Sequence, residues 1–156
     1  MAKPLELETL VGAWEGTNRL WMDPRGSGEP SAATAAVAAV ARGGFASIAN
    51  TWTYEGGAQD GLLLVRRGAR PGPLDAVWVD SFHTNGAIQT FVGEVDPSGR
   101  RSFHGTYPVQ DGPAWGWRMA IEQEGEATFV LAMWNVPPGE TEERAVEARF
   151  RRVGSG

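Results

Sequence analysis

The feature that most constrains this chain is its rhythm. Runs of β-branched, aromatic and aliphatic residues stop at Gly, Pro, Asp or Asn and resume roughly 8–12 residues later, the spacing of a β-sandwich or barrel. Leu5 to Val11 reads as one short helical turn, and Trp14 to Met22 as the first strand, ended by Asp23-Pro24-Arg25-Gly26-Ser27-Gly28. Phe45 to Glu55 lies between Gly43-Gly44 and Gly56-Gly57. Gly61 to Arg67, Leu74 to His83, Ala87 to Val95 and Ser102 to Tyr107 follow, with Asp96-Pro97-Ser98-Gly99 as a turn before the last. Trp115 to Gln123, Thr128 to Val136 and Ala145 to Arg152 complete the set, parted by Glu124-Gly125-Glu126 and Pro137-Pro138-Gly139.

Ser31 to Arg42 carries two competing signals. Its alanines and a Ser31 N-cap favour a helix, whereas Arg42-Gly43-Gly44-Phe45 looks like a hairpin turn between strands. A strand is favoured, which brings the count to about ten. Short connections let sequential strands pair. An open sheet of that width exposes edges that closure removes. The fold class is therefore all-β: a single closed antiparallel up-and-down barrel spanning residues 1–156. Barrels beyond about eight strands have interior room for a ligand.

Composition excludes several classes. A length of 156 residues suits one domain with a sizeable core, and 42% hydrophobic against 21% charged residues argues against disorder. No apolar run approaches the roughly 20 residues of a membrane span, and no secretory leader is visible, so a cytoplasmic location is the simplest expectation. Without cysteine there are no disulfides or thiolate sites. The net charge is −5 and the basic residues are scattered, which argues against nucleic acid as a partner. The sequence leaves a homodimer open.

Five segments carry a family resemblance: Gly12-x-Trp14-x-Gly16 with Trp21, Thr51-Trp52-Thr53-Tyr54-Glu55-Gly56, Val77-Trp78-Val79-Asp80-Ser81-Phe82-His83, Gly116-Trp117-Arg118 and Glu147-Ala148-Arg149-Phe150. Together they resemble the calycin superfamily of lipocalins, fatty-acid-binding proteins and nitrobindins, and more closely a bacterial family of calycin-like barrels with no assigned activity. The resemblance implies that Trp14 closes one barrel end beneath an arginine of the last strand, Arg149 or Arg151. Such a cation–π contact contributes roughly 0.5–2 kcal/mol. Nitrobindin-like barrels hold haem through one axial histidine late in the chain. Here only His83 and His104 exist, so this resemblance does not extend to a haem ligand and no cofactor is expected.

Seven tryptophans in so short a chain ask for a role beyond chance. Strand alternation places Trp115, Trp117, Met119 and Ile121 on one face, Phe129, Leu131 and Met133 on another, and Ile48, Asn50, Trp52 and Tyr54 on a third. They fill a core or line a pocket, since binding sites are largely apolar with a few placed polar groups. Asn18, Asn50, Asp80, Arg118, Asn135 and Glu147 interrupt apolar runs, and any that face inward unpaired cost about 1–3 kcal/mol. The pocket candidates are Asn18, Asn50, Trp52, Asp80, His83, Trp115, Trp117 and Met133, with Trp14 and Arg149 as the closing pair.

Catalytic signals are thin. Ser81 and His83 share a strand face while Asp80 points the other way, which spoils a local triad. No Gly-x-Ser-x-Gly elbow, phosphate loop or dinucleotide fingerprint is present. The two histidines form no metal motif. The leading expectation is a barrel that binds a small apolar or amphipathic molecule. Burial of about 300 Å² would supply roughly 7 kcal/mol before ordering costs. The rivals are an isomerase or hydrolase, a haem barrel, and an interaction module with a filled core.

Overall fold

A computed structural model describes residues 6–68, 74–95 and 100–154. Ten strands follow one another: β1 (Gly12–Leu20), β2 (Glu29–Val40), β3 (Phe45–Tyr54), β4 (Gly57–Arg66), β5 (Ala76–Asp80), β6 (Gln89–Val95), β7 (Arg101–Tyr107), β8 (Trp115–Glu124), β9 (Thr128–Val136) and β10 (Glu143–Arg152). Each pairs antiparallel with its sequence neighbours, and β1 pairs with β10, so the sheet is a closed up-and-down barrel. A 3₁₀ turn, Leu7–Leu10, precedes it. Among the described residues no helix is long and apolar enough to cross a membrane. Leu5 and the expected turn at 96–99 lie outside the described residues.

The ambiguous alanine-rich segment is β2. Ala33, Ala35 and Val37 are buried while the residues between them are exposed, a period of two. Pairing on both sides, with β1 and with β3, overrides the helical preference of alanine. Thr34 and Thr51 join their hydroxyls at 2.6 Å across the β2–β3 ladder.

At the end where β1 begins, aromatic packing closes the barrel. The Trp14 ring meets Phe129 edge-on with centroids 4.7 Å apart, and Phe129 lies 5.0 Å from Phe150. Trp14 donates its indole N–H to the Leu10 carbonyl at 2.8 Å, tying the 3₁₀ turn over the plug. Gly16 lets β10 approach closely, since a Cβ there would fall 1.8 Å from the Arg149 carbonyl oxygen.

The arginine over Trp14 is Arg152, not Arg149. Trp14 and Arg152 are direct cross-strand partners, and the guanidinium lies 4.3 Å from the ring centroid. Arg152 also donates to the carbonyls of Val11 at 2.9 Å and Thr9 at 2.6 Å. Ala148 and Phe150 occupy the inward positions of β10, so the odd-numbered Arg149 and Arg151 face outward. Arg149 pairs instead with Glu124 on the surface.

A second correction concerns β5. The strand stops at Asp80, and residues 81–86 form a turn rather than a continued strand. The cause is local. Asp80 Oδ1 accepts the backbone N–H of His83 at 2.8 Å and of Thr84 at 2.6 Å, which satisfies amides that a strand would have to pair elsewhere.

Candidate binding site at the His83 end of the barrel

The β1–β2, β3–β4, β5–β6, β7–β8 and β9–β10 connections share the end opposite the Trp14 plug. The turn after Asp80 brings His83 back over this end. Its ring lies 4.9 Å from Phe82, 5.1 Å from Trp117 and 6.4 Å from Trp52, centroid to centroid. Tyr54 packs edge-on against Phe82 at 5.0 Å, and Tyr107 lies 6.4 Å from Trp117. Strands β3, β7 and β8 and one turn thus build an aromatic wall.

Asp80 and His83 do not point apart, as strand alternation implied. His83 Nδ1 lies 2.7 Å from Asp80 Oδ2, and the carboxylate is fully buried. Burial pushes the Asp80 carboxyl up. The hydrogen bond and charge of His83, with the amides of Thr84 and His83, outweigh it and hold the group below its ordinary value. Thr84 Oγ1 adds a contact, accepting the Asp80 backbone N–H at 2.8 Å. With Nδ1 taken, Nε2 is the ring nitrogen left for any other molecule.

The polar atoms inside the barrel are the most telling. Among the described residues six buried side-chain atoms have no hydrogen-bond partner: Asn18 Nδ2, Asn50 Oδ1, Trp52 Nε1, Trp78 Nε1, Gln89 Nε2 and Trp117 Nε1. Asn18, Asn50, Trp52, Trp78 and Trp117 are all at most 4% exposed, so bulk water does not serve them. Trp78 and Gln89 are direct partners across β5 and β6. Two of the six, Trp78 and Gln89, are not among the pocket candidates that the sequence offers. Both stand on inward alternation, Trp78 two before Asp80 and Gln89 two before Phe91, and that was the available signal.

The remaining candidates divide. Met133 is buried on β9, and Trp115 is half-buried at the start of β8 opposite Tyr107. Asn135 accepts the Tyr107 hydroxyl at 2.6 Å, and burial, then Glu143, pushes that hydroxyl's pKa up. Arg118 grips Glu142 through two 2.6 Å bonds and stacks 3.8 Å over Trp134, while Glu147 pairs with Arg144 and Arg149. Ser81 is exposed and bonds Gln59 and Asp60, not His83. His104 sits beside Glu94 on the outer face. Among the described residues no group of three or more His, Asp or Glu could hold a metal ion.

A family model described as protein of unknown function (DUF1579) matches residues 5–152. The chain belongs to this family. No curated protein matches it. The DUF1579 match runs from the 3₁₀ turn to the end of β10, so every residue of the aromatic wall and all six unpaired atoms fall within it. A groove of about 420 Å³ on this DUF1579 barrel runs along Ala49, Leu62, Val79 and Ile88 and reaches Asp80, Ser81 and Thr84 at the turn, but none of the residues that carry those six atoms lines it. It is therefore not the place where polar groups await a partner.

Proposed function

We propose that this chain binds a small apolar or amphipathic molecule within the His83 end of its barrel. The observation that carries the reading is the set of six unpaired polar atoms on inward positions among aromatic side chains. A buried donor or acceptor without a partner costs about 1–3 kcal/mol. A filled core would replace such groups with apolar ones of similar shape. A site lined by rings with a few placed polar groups is what small-molecule recognition uses. The calycin-like resemblance supports the same interior.

Trp52 and Trp117 make the test direct. A lipophilic dye or fatty acid at micromolar concentration is expected to quench tryptophan fluorescence and raise the melting temperature. A broad panel that produces neither effect would overturn the reading.

One observation favours a second reading, as an enzyme. Asp80 holds His83 as an orienting carboxylate holds a catalytic imidazole, and Ser81 is turned away to Gln59, so the chemistry would be proton transfer rather than acyl transfer. Turnover that depends on pH and is lost in Asp80→Asn and His83→Ala would establish it. Haem has less support. His104 is on the outer face, and His83 is already packed against three aromatic rings.

A further inference from the structure

We infer that the molecule this site takes carries an uncharged hydrogen-bond acceptor, of the ketone, ester, lactone or quinone class, and buries that acceptor deep in the barrel rather than leaving it at the mouth. The inference rests on the ligand-binding reading above and deepens it.

The unpaired atoms are unequal in kind. Five of the six are N–H donors and one, Asn50 Oδ1, is an acceptor. The amide ends of Asn18, Asn50 and Gln89 can exchange O for N by a half-turn, so their sense is not fixed. An indole has no such freedom. Trp52, Trp78 and Trp117 each offer a donor that can never accept. Among the six unpaired atoms three are fixed donors and none is a fixed acceptor, and a purely aliphatic ligand would leave all three donors orphaned. A carbonyl oxygen has two lone pairs, so one such oxygen has capacity for two of the indoles and two have capacity for all three.

Charge narrows the class further. Arg118 is turned outward onto Glu142 and Trp134, so it does not supply an inward cation at this end. The buried carboxylate here is Asp80, already paired with His83. An anionic ligand would be stripped of water and set beside that carboxylate, and would have to compete with Asp80 for His83, which is costly. A neutral acceptor meets the same donors without that cost.

Three naphthalenes of nearly equal size separate the cases: 2-acetylnaphthalene, its isostere 2-ethylnaphthalene, which has no acceptor, and 2-naphthoate. Titrated into the full chain, 2-acetylnaphthalene is expected to bind at least about tenfold tighter than the ethyl compound, because a donor left unpaired penalises the analogue that cannot accept. It is expected to bind tighter than 2-naphthoate as well. Trp52→Phe and Trp117→Phe, which remove the N–H and keep a ring, should narrow the acetyl-over-ethyl ratio at least about threefold. Should either variant fail to fold, the ratio on the unaltered chain decides alone. An ethyl compound that binds as well as the acetyl one, or a naphthoate that binds tightest, overturns the inference and leaves the ligand-binding reading standing. If none of the three binds, the inference falls, and the ligand-binding reading falls with it only if the broad panel also gives no quenching and no rise in melting temperature.

Discussion

Asp80 and His83 meet through a 2.7 Å contact between carboxylate Oδ2 and imidazole Nδ1, and the same carboxylate's Oδ1 holds the two amides that turn the chain. One side chain therefore ends β5, folds residues 81–86 across the barrel end and fixes the ring that faces Trp117. Its protonation has consequences for stability. The folded pKa of Asp80 lies below its ordinary value, so its contribution is fully present above about pH 5 and is lost as pH falls through the depressed folded value. Asp80→Asn should lower stability at pH 7 by about 2 kcal/mol, the scale of hydrogen bonds to a charged group. Urea titrations at pH 3 and pH 7 check this. The gap between variant and parent should shrink at the lower pH, and a constant gap would show that the charge is not responsible.

That turn also marks where local pattern reading gives out. Period-two alternation puts Trp115, Trp117, Met119 and Ile121, then Phe129, Leu131 and Met133, then Ile48, Asn50, Trp52 and Tyr54 on common faces; all are buried except Trp115 and Tyr54, which are half-buried. The ring of ten strands follows from the same pattern with short connections. Two things lay outside it. A carboxylate that caps its own following amides interrupts alternation without any change in hydropathy, so Asp80 and His83 read as opposed when they are bonded. The register of β10 against β1 is set by barrel closure between residues nearly the whole chain apart. Nothing near Arg149 or Arg152 in sequence says which of them lands on Trp14.

The closing arginine provides a matched pair of variants. Arg152→Ala removes a guanidinium over the Trp14 ring and two hydrogen bonds to the carbonyls of Thr9 and Val11. A loss of about 1–2 kcal/mol is expected. Arg149→Ala breaks an exposed pair with Glu124 and should cost no more than about 0.5 kcal/mol. Denaturant midpoints of the two variants side by side are the measurement. Equal losses would refute the assignment of Arg152 to the plug.

Gly16 sits where two backbones nearly touch. A methyl group there would lie 1.8 Å from the Arg149 carbonyl oxygen and 2.8 Å from its carbon, atoms with no rotamer to move. Gly16→Ala must push β10 away from β1 at the seam that closes the barrel. A cost of about 3 kcal/mol is expected, at the upper end for overpacking. Thermal unfolding would register it as a lowered midpoint, and a midpoint within a degree or two of the parent would mean the strands are less close than described.

Asn50 offers the sharpest separation of stability from binding. It is 3% exposed, stands opposite Gly61 on β4, and leaves its Oδ1 without a partner. Replacing a buried polar group that has no partner with an apolar one removes a desolvation penalty without breaking a hydrogen bond. Asn50→Leu should therefore leave the ligand-free protein as stable as the parent or more so, by up to about 1 kcal/mol. The same variant should weaken any ligand that quenches Trp52, because it adds side-chain bulk and removes an amide from the interior. Melting temperature without ligand and fluorescence titration with ligand read the two effects separately. A variant that melts well below the parent would mean that Asn50 is already satisfied or tightly packed, and the account of an interior holding polar groups in reserve would lose one of its six members.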